Sequence, residues 1–297
     1  MDNGATSLEK RIRDNVGELS GAQRILAEFF LTNYEQAAFL TAARVGALVG
    51  ISESTVVRFA YALGYKGWPQ LQAELQEMVK DRLSTATRLR MCTVPGQGQE
   101  KSVMQEVMET DLENLRRTMQ DLSEDTFNAA VEAVIKAQNI YVLGSRSACS
   151  LAQFLAFYLQ MIGKRVGVVP QGLGSIFEEL AAVQPGDLVI GISFPRYSRI
   201  TIEGFVYARR KGATTLVITD NVISPLGQQA DITLTARSNL GSYIESFAAP
   251  LSVVNALLTA VGRRDKDKTL TRLDELEEIA QEHDIFYLPG GGNNNHI

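Results

Sequence analysis

Five short apolar runs set the pattern of the second half of the chain. They are NIYVLG at 139–144, VGVVP at 166–170, DLVIGIS at 187–193, TTLVIT at 214–219 and DITLT at 231–235. Each is rich in β-branched residues and is followed by Gly, Pro, Ser, Asp or Asn, and helical segments lie between most of them. Strands that are apolar throughout and alternate with helices imply a parallel sheet covered on both faces. The pattern predicts an α/β doubly wound domain of about five parallel strands. Its ligand site should lie at the carboxyl ends of those strands.

The chain before this point has a different rhythm. Apolar residues at 25, 26, 29 and 30 mark one face of a helix over Ala22–Leu31, with Ser20 as its N-cap. A helix is expected over Ala42–Val49, capped by Thr41 and ended by Gly50, and Ser52 caps the next, through Leu63. Trp68-Pro69 opens a further helix to about Val79. The stretch 81–101 loses periodicity, and its PGQGQ reads as a loop. Helices then follow from about Ser102 to Asp121 and, capped by Ser123, to Ala137. The expected organisation is multidomain: an all-α helix-turn-helix domain over 1–80, a linker and connecting helix over 81–122, the α/β domain over 123–265, and a charged helix with a disordered PGGGNNNHI tail over 266–297.

Composition narrows the function. No stretch approaches the roughly 18 apolar residues of a membrane helix, and the polar start MDNGATSLEKRIRDN lacks the apolar segment of a signal peptide. Cys92 and Cys149 stand far apart, which suits reduced thiols in the cytosol. His283 and His296 are the only histidines, so neither a zinc site nor a Ser-His-Asp triad has its ligands or base, and no cofactor is expected. Net charge is −5, but residues 1–90 carry 11 basic and 10 acidic side chains, which leaves room for a local basic face on DNA.

The segment TAARVGALVGISESTVVRFAYALGY has the spacing of a helix-turn-helix. Val56, Phe59, Ala60 and Leu63 share one helical face, expected to pack on Val45, Leu48 and Ile51. The other side presents Glu53, Ser54, Thr55 and Arg58, with Ser52 at the start. Short polar side chains at a helix N-terminus, backed by an arginine, suit a major groove. Thr41, Arg44 and Lys66 are placed to hold the DNA backbone. The same spacing also occurs in compact helical hairpins that bind nothing.

ISESTVVRFAYALGYKGWPQLQAEL resembles the N-terminal domain of the RpiR/MurR family of bacterial transcription regulators, and the α/β half resembles a SIS (sugar isomerase) domain. The resemblance implies an operator-binding homodimer or homotetramer, a repressor more readily than an activator. Dimer contacts would come from the helix over 149–163, and the effector would be an anionic, sugar-derived ligand. It also implies two ligand loops, Gly-x-Gly-x-Ser after the first strand and Ser-x-Ser-Gly-x-Thr after the third. Here Gly144, Arg146 and Ala148 stand at the first spacing, beside Ser147, and Ser193, Pro195, Arg196 and Ser198 at the second. Arginine thus replaces a glycine in both loops, so the expectation is an anion site rebuilt around side chains: Arg146, Ser147, Ser193, Arg196, Ser198 and Arg199, with Glu245 reaching in from GSYIESFAAPL. Phosphate and carboxylate both fit, and Arg196 or Arg199 could instead pair with acids across a subunit interface. Two other readings stay open. One is a sugar-phosphate isomerase using Glu178, Glu179 or Glu245 as base; the other is a DNA-binding protein with a vestigial ligand site.

Overall fold

The computed structural model describes residues 7–38, 40–80, 85–92, 102–169, 176–238 and 242–287. Two compact units result, one of residues 1–97 with 241–243 and the other of residues 98–240 with 244–297. The PGQGQ loop and the PGGGNNNHI tail lie outside the described residues.

The first unit is helical: α1 (Ser7–Asn15), α2 (Gly21–Ala37), α3 (Ala42–Val49), α4 (Glu53–Ala62), α5 (Trp68–Lys80) and α6 (Thr85–Cys92). The last falls where a linker without periodicity was expected; its Thr-Ala-Thr-Arg-Leu-Arg run contains no helix breaker. Ser20 and Gln23 cap α2 reciprocally. The Gln23 amide donates to Ser20 Oγ at 3.4 Å, and the Ser20 amide donates to Gln23 Oε1 at 2.9 Å. Leu8, Leu26, Phe30, Val45, Val56, Phe59, Leu71 and Leu75 form one core, in which the Phe30 and Phe59 rings stack at 5.5 Å.

Gly46 and Gly50 make the turn between α3 and α4. Gly50 sits at φ 71°, and the Gly50 and Ile51 amides both reach the Gly46 carbonyl, Ile51 at 2.8 Å. A Cβ on Gly46 would stand 2.4 Å from the Ile51 carbonyl oxygen. Because the obstacle is backbone, Gly46→Ala is expected to cost about 1–3 kcal/mol, seen as an earlier midpoint in chemical denaturation; an unchanged midpoint would mean the turn yields freely.

The second unit runs α7 (Val103–Asp121), α8 (Glu124–Lys136), β1 (Ile140–Gly144), α9 (Ala148–Met161), β2 (Val166–Val168), α10 (Ile176–Glu179), β3 (Leu188–Ile192), α11 (Arg199–Arg210), β4 (Thr214–Thr219), β5 (Ile232–Thr235), α12 (Ala248–Arg264) and α13 (Lys266–Glu282). All strand pairs are parallel, in the order β2-β1-β3-β4-β5. Alternate residues serve opposite faces. Ile140, Val142, Ile190 and Leu216 meet α8, α9 and α12, while Leu143, Val189 and Val217 meet Phe205 and Ala208 of α11. The result is the expected three-layer, doubly wound unit. Among the described residues no helix is long and apolar enough to cross a membrane, and no cluster of metal-ligating side chains forms.

Candidate nucleic-acid interface and ligand crevice

The helix α4 carries the expected polar face. Ser52, Glu53, Ser54 and Arg58 are exposed, and Thr55 is half-buried. Ser52 occupies the N-cap with extended backbone, but its hydroxyl does not cap. It bonds instead to Ser54 Oγ at 3.1 Å and Thr55 Oγ1 at 2.8 Å, a chain of hydroxyls across the helix start. Arg58 folds back over this cluster, donating to the Ser54 carbonyl at 3.2 Å and Ser54 Oγ at 3.3 Å. Thr41 caps α3 as expected, accepting from the Arg44 amide at 3.2 Å. The Arg44 and Lys66 side chains are exposed.

Two features depart from expectation. Leu48 does not pack beneath α4; it is 49% exposed, because the close approach at Gly46 lets Val45 and Ile51 make that contact without it. Tyr61, not singled out in the sequence, is 57% exposed one turn beyond Arg58 on the same face as Ser54. Its spacing of three from Arg58 was the available signal, but an aromatic in a helix is more often core.

In the second unit the strand order reverses between β1 and β3, and Gly144 lies in register with Ile192. The loops after these strands therefore emerge side by side, where an open α/β sheet binds its ligands. Arg146 and Arg196 stand one in each loop. Both adopt left-handed backbone, at φ 57° and 65°; the one other non-glycine residue to do so among the described residues is Asp284. That conformation costs a residue with a Cβ about 1–2 kcal/mol, and strain of this kind gathers at binding sites. Both residues are exposed. Gly144 has a structural cause, since a Cβ there would meet the Ala148 carbonyl oxygen at 2.7 Å.

Two helix N-termini open on the crevice. Ser147 stands at the N-cap of α9 and Ser198 at that of α11; neither hydroxyl caps its helix, and neither first turn contains an acid. Such ends favour an anion. Ser193 is buried at the end of β3, its amide held by the Ile218 carbonyl at 3.2 Å. Arg199 is placed less favourably. Its side chain is 90% exposed and bonds Glu203 one turn along α11 at 2.7 Å, a pairing that keeps it firmly protonated.

Three contacts absent from the sequence reading hold the crevice together. Ser145 and the buried Thr201 share a hydrogen bond of 2.6 Å, tying the first loop to α11. Phe194 packs on Phe247 at 5.6 Å, which brings the segment of half-buried Glu245 to the second loop. The Tyr197 hydroxyl donates to Asp220 Oδ1 at 2.7 Å, on the wall of a cleft of about 230 Å³ at the ends of β4 and β5. Glu178 and Glu179 sit exposed on α10.

Comparison with known proteins matches both units. Residues 6–82 match the model of the helix-turn-helix domain, rpiR family, and residues 133–260 that of the SIS domain. The HTH-type transcriptional regulator HexR of Pseudomonas aeruginosa is 26% identical over 267 residues, covering 87% of this chain and 90% of its own. The sugar isomerase domain of an RpiR transcription factor from Sphaerobacter thermophilus is 31% identical, with a TM-score of 0.58, over 60% of this chain and 99% of that one. The Vibrio vulnificus NanR protein, solved in complex with ManNAc-6P, is 20% identical with a TM-score of 0.56, over 93% of this chain and 98% of that one.

Proposed function

This chain belongs to the rpiR family of helix-turn-helix transcription regulators and carries a SIS domain, and from that membership we propose a repressor whose hold on operator DNA is set by an anionic sugar derivative. The α4 face of Ser52, Glu53, Ser54, Thr55 and Arg58 reads base edges in the major groove, while Thr41, Arg44 and Lys66 hold phosphates. The protein works as a homodimer on paired half-sites. The effector lies across the ends of β1 and β3. Its anionic group sits between the N-termini of α9 and α11, within reach of Arg146, Ser147, Ser193, Arg196 and Ser198. Gly144 closes the first loop, Glu245 accepts a sugar hydroxyl, and Arg199 joins by releasing Glu203. No catalysis is assigned.

One observation carries this reading: the two arginines held in left-handed backbone occur one in each strand-end loop. Strain at both places is understandable if both side chains meet the same ligand. The sugar phosphate bound by the structurally similar NanR supports a phosphorylated sugar as the first class to try. An effector changes DNA affinity only by the difference in its affinity for the two protein states.

A thermal-shift screen of sugar phosphates and sugar acids tests the site. A true ligand raises the melting temperature with concentration, by about 2.7 kcal/mol of added stability at one hundred times its Kd. The rise is expected from one of the two classes and should vanish in Arg196→Ala. A rise that survives Arg196→Ala would move the site elsewhere; silence from both classes would favour a vestigial crevice.

A further inference from the structure

Tyr61 ends the polar face of α4. Ser54, Arg58 and Tyr61 stand at spacings of four and three, so they share one side of the helix. Tyr61 is 57% exposed, and among the described residues its hydroxyl has no hydrogen-bond partner. Exposure alone is ordinary for an aromatic side chain. The fixed placement of this one is not. A Cβ on Gly67 would stand 3.4 Å from the Tyr61 hydroxyl oxygen and 3.7 Å from the ring carbon that carries it. The end of the ring therefore lies over the buried backbone of Gly67, whose φ of 129° suits glycine. Beside it the Lys66 amide donates to Gln70 Oε1 at 2.6 Å, which fixes the backbone that carries the exposed Lys66 side chain. A neutral donor and a cation thus stand together where α4 ends.

Resting on the assignment of α4 as the DNA-reading helix, we propose that Tyr61 is a further DNA contact. Its hydroxyl donates to a backbone phosphate that Lys66 also meets, and its ring lies along the adjoining sugar. Residues at the start of such a helix reach base edges. Tyr61 lies seven residues past Ser54, about 10 Å along the axis at about 1.5 Å per residue, where the helix leaves the groove beside the phosphates. The chemistry agrees. A phenol offers a single hydroxyl, which suits a phosphate oxygen and cannot make the bidentate contact that identifies a base. Such a contact fixes register and holds all sequences alike. The ring has only two torsions and is already held against Gly67, so little freedom is lost on binding. If Tyr61 served only to cover Gly67, phenylalanine would do as well and the hydroxyl would be idle.

The test is fluorescence anisotropy of the full chain on two duplexes, one that wild type selects from a random-sequence pool and one unselected random duplex. Tyr61→Phe keeps the ring over Gly67 and removes only the donor. It is expected to melt with wild type and to bind both duplexes about three- to tenfold more weakly, by the same factor on each. Its salt dependence should match wild type, because a neutral hydroxyl releases no counterion. Lys66→Ala, by contrast, should lower that slope by about 1 for each half-site. Tyr61→Arg puts a cation at the same phosphate, so it should tighten both duplexes several-fold and steepen the slope by a like amount. Arg58→Ala is the control for α4 itself and should weaken the selected duplex far more than the random one. If it does so while Tyr61→Phe binds both duplexes as wild type does, α4 remains the DNA-reading helix and Tyr61 is no part of its contact. A loss in Tyr61→Phe confined to the selected duplex would make Tyr61 a reader of bases and overturn the phosphate contact. If neither substitution weakens binding, α4 is not the DNA-reading helix, and the Tyr61 contact falls with it.

Discussion

Arg58→Ala is expected to weaken operator binding at least thirtyfold while leaving the fold intact. Arg58 is exposed, and both of its hydrogen bonds go to Ser54 of its own helix. Bonds of that kind contribute little to stability, so the first unit should melt where wild type does. Toward DNA the same guanidinium offers a fork of donors. One bidentate contact to a base is worth about 1–3 kcal/mol, and a dimer loses it twice, about 2–6 kcal/mol in all. Fluorescence anisotropy at fixed salt measures the loss, since salt alone moves such affinities by orders of magnitude. Arg58→Lys separates the contributions. It keeps a charge for phosphate but lacks the fork, so discrimination against altered operators should fall further than affinity for random DNA. Unchanged affinity in Arg58→Ala would remove the residue from the interface.

Ser193→Ala combined with Arg196→Ala is expected to leave operator binding within about twofold of wild type and to abolish its response to effector. The companion substitution Arg196→Gly carries the sharper prediction. At φ 65° glycine pays no steric cost, so the variant should gain about 1–2 kcal/mol in stability while losing the response. A residue kept only for structure would show the gain without the loss. A residue that both strains the loop and holds the ligand shows the two together, and Arg146→Gly, at φ 57°, should behave alike. A full response in Arg196→Gly would leave the ligand to the helix ends and serines.

Much of this could be read from residue order because it rests on local chemistry. Ser20, Thr41 and Ser123 cap the helices that follow them, each through a hydroxyl reaching an amide three residues on. The five strands appear where β-branched runs stop at turn residues, and their parallel pairing follows from the helices between them. Reading failed where a side chain had several partners within reach. Ser52 has the sequence of a capping serine, but Thr55 Oγ1 at 2.8 Å takes its hydroxyl. Leu48 has the period of a core residue, but the approach at Gly46 places it outside.

The order of residues by itself determined the two units, the exposed polar face of α4 and the presence of arginine in both strand-end loops, because periodicity, capping and turn chemistry act over a few neighbours. Only the tertiary structure decided the rest. That Arg146 and Arg196 hold left-handed backbone depends on how the loops leave adjacent strands in register. That Ser145 bonds Thr201 across 56 positions depends on the crossover that sets α11 beside β1. That α7 buries polar Asn114 and Thr118 alongside half-buried Val107 and Leu115 depends on Arg237 and Ser246, whose bonds to Thr118 and Asp111 no period within the helix could foretell. Long-range contacts choose between faces that local sequence leaves equally available.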